Sequence, residues 1–209
     1  MPVVHLIRHG QASYGGEDYD VLSPLGAEQS ARVAAELLRR GVEDPVLVSG
    51  DLARQYDTLR ILADAAGYGR APKVDPRWNE YRDPTLPAAD AGMDRATYQQ
   101  QLEEALALWI EADSPQGWRG FQQGAVSALY ELSEGLGSGD VGVVVTSGGT
   151  ITSIVARMWG LDLPGTIRAH RTFVNTSITS VAMGRQGMSL LCVNDHGHLL
   201  REDGLLTYR

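Results

Sequence analysis

The sequence predicts an α/β fold: a three-layer α/β/α sandwich with a mostly parallel central sheet and an antiparallel edge strand. Three observations carry this. Short apolar runs at 3–7, 46–49 and 141–146 read as buried strands. They alternate with segments of helical spacing, and strands alternating with helices imply a parallel sheet covered on both faces. Two further apolar runs, 178–183 and 188–193, flank Gly184-Arg185-Gln186-Gly187 and form a hairpin that supplies the antiparallel edge.

In chain order, the first strand is broken by Gly10 and followed by a polar, glycine-containing loop over 13–20. Ser23 is a fitting N-cap and Pro24 a fitting first-turn residue for a helix that runs to about residue 40, where Gly41 stops it. After the second strand comes a helix over about 51–66, then a short strand near 73–75 and a long irregular section over 76–92. A helix over about 94–111 sets Tyr98, Leu102, Leu106 and Trp109 on one core-facing stripe. Another helix covers about 121–135. The strand at 141–146 is the most apolar, and Ser147-Gly148-Gly149 opens a helix over 150–158. The 209 residues read as one domain, able to bury a core without staples, with a helical lid or insertion at about 80–140.

A net charge of −8 and a pI near 5.1, with no basic run, argue against a nucleic-acid partner. An anionic substrate has to be drawn in by a local arginine cluster against that overall field. One cysteine excludes a disulfide framework and a cysteine zinc site; Cys192, inside Leu190-Leu191-Cys192-Val193, is expected as a buried small hydrophobe. Met1 leads straight into a strand with no signal peptide, and no apolar stretch is long enough for a membrane span, so the cytoplasm is the expected compartment.

The chemistry starts at Leu6-Ile7-Arg8-His9-Gly10-Gln11. His9 falls where a strand turns into a loop, at the carboxyl edge of the sheet, where open α/β folds place ligands. Arg8 supplies a planar fork of donors suited to phosphate, and its charge favours the neutral, nucleophilic imidazole. Arg8-His9-Gly10 therefore points to phosphoryl transfer through a phosphohistidine. Read alone, a histidine after a strand is more often a hydrogen-bonded loop residue than a nucleophile. Three further positions strengthen the catalytic reading. Arg54 lies one turn into the helix after the second strand, near an N-terminus that favours anions; its plain alternative is a solvated helix arginine. Glu80, in Arg77-Trp78-Asn79-Glu80-Tyr81, stands between aromatics that can desolvate it and raise its pKa to that of a general acid; otherwise it is an exposed glutamate. Ser147-Gly148-Gly149 joins a strand to a helix, where backbone N–H groups cradle a phosphate, or where glycines merely permit a tight turn.

On these residues the chain resembles the histidine phosphatase superfamily, in its phosphoglycerate-mutase-like branch. Arg8-His9-Gly10 matches the nucleophile motif, Leu22-Ser23-Pro24-Leu25-Gly26-Ala27-Glu28-Gln29 the following helix opening, and Ser49-x-x-Leu52-x-Arg54 with Thr58 the segment carrying the second phosphate arginine. Trp78-Asn79-Glu80 falls where the family has its general acid, and Asn175-Thr176-Ser177-Ile178 with Asn194-Asp195 resembles its C-terminal strands. The resemblance implies that His9 takes the phosphoryl group, that Arg8 and Arg54 with Ser147 and Gly148 hold it, and that Glu80 protonates the leaving alcohol. It implies no metal and no cofactor.

The chain departs from the family where a second histidine normally precedes the glycine pair; Ser147 stands there. A hydroxyl still donates, but without charge and with shorter reach, and charge-assisted bonds are roughly twice as strong. His170, His196 and His198 are candidate substitutes that sequence cannot place, with a structural role expected for His198. Several relatives carry an asparagine where this chain has Gly15, leaving Ser13 or Gln11 as alternative phosphate contacts.

The expected function is hydrolysis of a small phosphorylated metabolite, slow or specialised because of Ser147, with inorganic phosphate as the other ligand. If the serine is only a weakened donor, Ser147→His raises turnover. The alternative is a phospho-ligand binding or regulatory protein with little chemistry. Mutase transfer is disfavoured, since Arg82, Arg95 and Arg119 are the only basic residues between Glu80 and Val141. A dinucleotide site is poorer still, as Gly148-Gly149 lacks a spaced third glycine. The residues 84–119 are expected to form the lid, with Trp109 and Trp118 either in the pocket or in the core. The edge of the hairpin suits a homodimer; no nucleic acid or membrane partner is expected.

Overall fold

The computed structural model describes residues 1–13, 20–82, 94–200 and 203–208. Six strands, β1 (Val3–Arg8), β2 (Val46–Ser49), β3 (Lys73–Val74), β4 (Val141–Thr146), β5 (Ile178–Gly184) and β6 (Gly187–Asp195), form one sheet in the order β3-β2-β4-β1-β5-β6. From β3 to β1 every pairing is parallel; β5 then pairs antiparallel with β1, and β6 antiparallel with β5. The expected antiparallel edge is the whole hairpin.

The helices are α1 (Pro24–Arg39), α2 (Ala53–Ala66), α3 (Arg95–Ala112), α4 (Trp118–Glu134), α5 (Gly148–Trp159) and α6 (Leu163–His170). Successive strand residues face opposite ways, and both sets are buried. Val4, Leu6, Val48 and Val144 pack against Ala125, Leu129, Ile151 and Ile154 of α4 and α5. Ile7, Leu47, Val143 and Val145 pack against Val33, Leu37, Leu59 and Leu62 of α1 and α2. That two-sided burial is the α/β/α sandwich. Tyr98, Leu102 and Leu106 are buried together, with Trp109 partly buried beside them.

The local chemistry explains the boundaries. Ser23 caps α1, its Oγ accepting from the Gly26 N–H at 3.0 Å while donating to Gln11 Oε1 at 2.8 Å. A side chain on Gly10 would meet the Gly26 carbonyl oxygen at 2.4 Å, so only glycine lets α1 approach the His9 loop this closely. The helix α6 was not expected; it opens on Asp162, whose side chain accepts from the Gly165 N–H, with a proline in its first turn. A 3-10 turn, Pro76–Trp78, orders the start of the irregular section, and a second covers Gly197–Leu199. Residues 14–19 of the expected 13–20 loop, with Gly15, and residues 83–93 of the irregular section and lid lie outside the described residues.

Candidate active site

Parallel strands end at one edge of the sheet, so β1, β2, β3 and β4 deliver His9, the start of α2, Glu80 and Ser147 to a common rim. His9 is 3% exposed. Its Nδ1 lies 2.7 Å from the Gly10 carbonyl oxygen, which can only accept. Arg54 Nε, which can only donate, lies 3.2 Å from its Nε2. Nδ1 therefore carries the proton and Nε2 the lone pair. Burial, and after it the charges of Arg54 and Arg8, hold the His9 pKa well below its ordinary 6.5. The side-chain amide of Asn175 donates to the His9 carbonyl at 3.0 Å, and the Gly10 N–H donates to Thr58 Oγ1 at 3.0 Å. The backbone of the nucleophile loop is thus pinned from both sides.

The two arginines approach from different elements. Arg8 donates through one terminal nitrogen to the carbonyls of Phe173 and, at 2.9 Å, Tyr208. Its guanidinium lies against the first residue of α5: a Cβ on Gly148 would sit 3.5 Å from Arg8 Nε. Arg54, 8% exposed, donates through Nη1 to Asp20 Oδ1 at 2.6 Å. Asp20 also accepts from the backbone N–H groups of Ala53, at 2.8 Å, and Arg54, at 3.4 Å.

Glu80 is half-buried beneath the start of α5. One carboxylate oxygen accepts from the Gly149 N–H at 3.2 Å and the other from the Tyr81 N–H at 3.2 Å. Burial outweighs these donors and the nearby arginines and raises its pKa. The second glycine of the pair is required here: a Cβ on Gly149 would meet Glu80 Oε1 at 2.2 Å and the Tyr81 ring at 2.4 Å. The Glu80 loop is tied down at its root. Thr146 Oγ1 and Gln55 Nε2 donate to the Trp78 carbonyl, Thr150 Oγ1 donates to the Asn79 carbonyl at 2.7 Å, and the Asn79 and Asp51 side chains bond each other at 2.6 Å.

Ser147 is fully buried at the N-cap of α5. Its Oγ accepts from Gln55 Nε2 at 2.7 Å, which leaves the hydroxyl proton to donate. Of the candidate substitute histidines, His170 meets the residue after Glu80: its Nε2 lies 3.3 Å from the Tyr81 hydroxyl, and burial, then the Arg8 charge, lowers its pKa to about 4. His196 Nδ1 lies against the Asn194 carbonyl, and His198 Nε2 stands 3.5 Å from Thr176 Oγ1. Gln11 gives its amide oxygen to Ser23, so it braces α1. Trp109 and Phe121 back the Tyr81 ring, and Trp118, which is buried, meets Trp109 edge-on at 5.6 Å. Cys192 is part-buried, not buried, because β6 is the edge strand, and its thiol donates to Ser180 Oγ at 3.3 Å.

Among the described residues, no three His, Cys, Asp or Glu groups converge to hold a metal, and no helix is long and apolar enough to cross a membrane. Sequence reasoning missed Asp20, Gln55 and the Tyr81–His170 contact. None follows a motif spacing; each depends on which loops the sheet brings together.

The profile of the histidine phosphatase superfamily (branch 1) matches residues 4–196. YhfR of Bacillus stearothermophilus superposes with a TM-score of 0.68 at 19% identity, covering 95% of this chain and 99% of that one. The mycobacterial glucosyl-3-phosphoglycerate phosphatase gives 0.67 at 24% identity, covering 92% and 98%. A phosphoserine phosphatase mutant from Entamoeba histolytica, in complex with phosphoserine, gives 0.69 at 19% identity, covering 95% and 100%. The chain has no match among curated proteins.

Proposed function

This chain belongs to the histidine phosphatase superfamily (branch 1), and on that premise we propose that it hydrolyses phosphomonoesters through a phosphohistidine on His9. One observation carries the reading: the buried imidazole is held neutral, with its proton fixed on Nδ1 and the Nε2 lone pair at the sheet edge beside Arg54. Nε2 attacks phosphorus, the ester P–O bond breaks, and Glu80 passes its proton to the leaving oxygen. Water then attacks the phosphohistidine, Glu80 takes its proton, and the N–P bond breaks to return the Nε2 lone pair and release phosphate. Arg8 and Arg54 bind the phosphoryl oxygens, with the Ser147 hydroxyl and the Gly148 backbone as neutral donors. Every step uses side chains of this chain, with neither a metal nor a cofactor.

The ligand is a small phosphorylated metabolite or inorganic phosphate. The structural relatives named as phosphatases, one solved with phosphoserine and one with inorganic phosphate, support that class. The chain is read as one domain in which the region 80–140, including α3 and α4, forms the lid, and as a cytoplasmic protein whose β6 edge suits a homodimer. Turnover is slow, since Ser147 brings no charge. That same residue favours the second reading, a phospho-ligand binding protein with weak chemistry. Mutase transfer is disfavoured because Arg119 is paired with Asp113 at 2.7 Å.

Incubation with an aryl phosphate separates the two readings. Hydrolysis with an acid-labile phosphoenzyme, both lost in His9→Ala, is the expected result. Turnover that survives His9→Ala overturns the nucleophile, and phosphate-ester binding without turnover supports the binding protein.

A further inference from the structure

Resting on the reading of Arg54 as an arm of the phosphate clamp, we infer that Asp20 is the positioning residue for Arg54. Its carboxylate grips both ends of that arginine. It accepts from the backbone N–H groups of Ala53 and Arg54 at 2.8 and 3.4 Å, and from Arg54 Nη1 at 2.6 Å. A helix N-terminus whose cap residue, Leu52, makes no side-chain cap bond is thereby capped from another loop. The guanidinium that Asp20 holds is the one that directs Nε at His9 Nε2 across 3.2 Å. An arginine has a long, rotatable stem, and a fork tied to the first turn of its own helix has few orientations left. Charge-assisted bonds of this length fix direction as well as distance.

Two effects of opposite sign follow from one carboxylate. Orienting the fork strengthens transition-state binding, and misplacement of a positioning group by about 1 Å can cost about 10²-fold in rate. The negative charge also subtracts from the clamp and weakens binding of a free anion. The geometry assigns the first effect as the larger, because Asp20 and His9 take different nitrogens of one guanidinium, so both bonds coexist.

The test is a double-mutant cycle on the whole chain. Asp20→Ala should lower kcat for an aryl phosphate by about 100-fold with KM changed only a few-fold, and Asp20→Asn, which keeps the shape and one of the two acceptor oxygens, by about tenfold. In an Arg54→Ala background Asp20→Ala should cost nothing further, since a residue acting through Arg54 has nothing left to orient. Losses that multiply overturn the inference. Binding of orthovanadate, measured calorimetrically in parallel, decides the sign without turnover: weaker binding to Asp20→Asn supports positioning, and tighter binding with kcat preserved makes Asp20 a competing anion and overturns it. Wild-type protein that forms no phosphohistidine from any ester defeats the proposed function alone, and the vanadate result then still decides Asp20.

Discussion

Arg54 and His9 are joined by one hydrogen bond, Nε–H to Nε2 at 3.2 Å, so a guanidinium rests on the lone pair that the proposed attack uses. This bond and the Gly10 carbonyl fix the tautomer, and burial with the Arg54 charge holds the ring neutral. In the proposed attack the Arg54 N–H keeps its proton and redirects its hydrogen bond from His9 Nε2 to a phosphoryl oxygen.

Replacing Arg54 by alanine removes the donor and the charge together. We expect kcat/KM for an aryl phosphate to fall by about 10²–10³. The His9 pKa should rise at the same time, because the Arg54 charge is one of the forces that lower it. Imidazole titration followed by NMR reads this directly. Arg54→Lys restores the charge without the planar fork, so it should recover part of the depression and little of the rate. A midpoint that stays put in Arg54→Ala contradicts the electrostatic account.

The acid is tested through its leaving group. Burial raises the Glu80 pKa above that of an ordinary carboxyl, which suits the proposed role of proton donor. Glu80→Gln should lower kcat for an alkyl phosphate by about 10²–10⁴, and much less for 4-nitrophenyl phosphate, whose leaving group needs no proton. The alkaline limb of the wild-type pH–rate profile should vanish in the variant. Equal losses on both esters would make Glu80 a structural residue.

The strands and long helices were legible because their signals are local. The run at Val141–Thr146 is apolar throughout, and Ser23-Pro24 opens α1 as capping chemistry dictates. The convergence of His9, Arg8, Arg54, Glu80 and Ser147 was legible because each lies at or after the carboxyl end of a strand, and parallel strands end together. Asp20 and Gln55 were not, since their partners lie 34 and 92 residues away and no period links them. Helix α6 was not expected because it spans only Leu163–His170; Pro164 occupies its first turn, where an absent donor costs nothing. His170 reaches Tyr81 only because α6 exists.

Stability should fall as the pH drops below 6.5. Burial is the leading cause that lowers His5, His170 and His198 to about 4, and it drives His9 down as well. These rings stay neutral in the folded chain while the unfolded chain binds protons from pH 6.5 downward. Their contribution is complete above 6.5 and is lost as the pH falls toward 4, at up to about 1.4 kcal/mol per pH unit for each ring. Glu80 has the opposite sign: its raised pKa favours the folded state at low pH, and that share is lost as the pH rises through its folded value. Three or more histidines against one carboxyl leave a net loss on acidification. Urea midpoints at pH 7 and pH 5 check it, with a lower midpoint at pH 5 at unchanged slope expected.

The last prediction concerns Ser147, the residue at the N-cap of α5. If Ser147 were merely a shortened donor in a site shaped for imidazole, Ser147→His would raise turnover. The packing argues otherwise. Ser147 is fully buried, its Oγ is 2.7 Å from Gln55 Nε2, and the same Gln55 nitrogen reaches the Trp78 carbonyl at 3.1 Å, with Trp78 only 1% exposed. An imidazole there must displace Gln55 and disturb the root of the Glu80 loop, and overpacking a closed core costs about 1–3 kcal/mol. Ser147→His should therefore lower both the melting temperature and kcat. Ser147→Ala should lower kcat by about 10²-fold with little change in melting temperature, as expected for one lost donor to the phosphoryl group. Gln55→Leu, which removes the bond that turns the hydroxyl proton outward, should reproduce part of that loss. Faster turnover in Ser147→His would show that the space around residue 147 still accepts the larger ring.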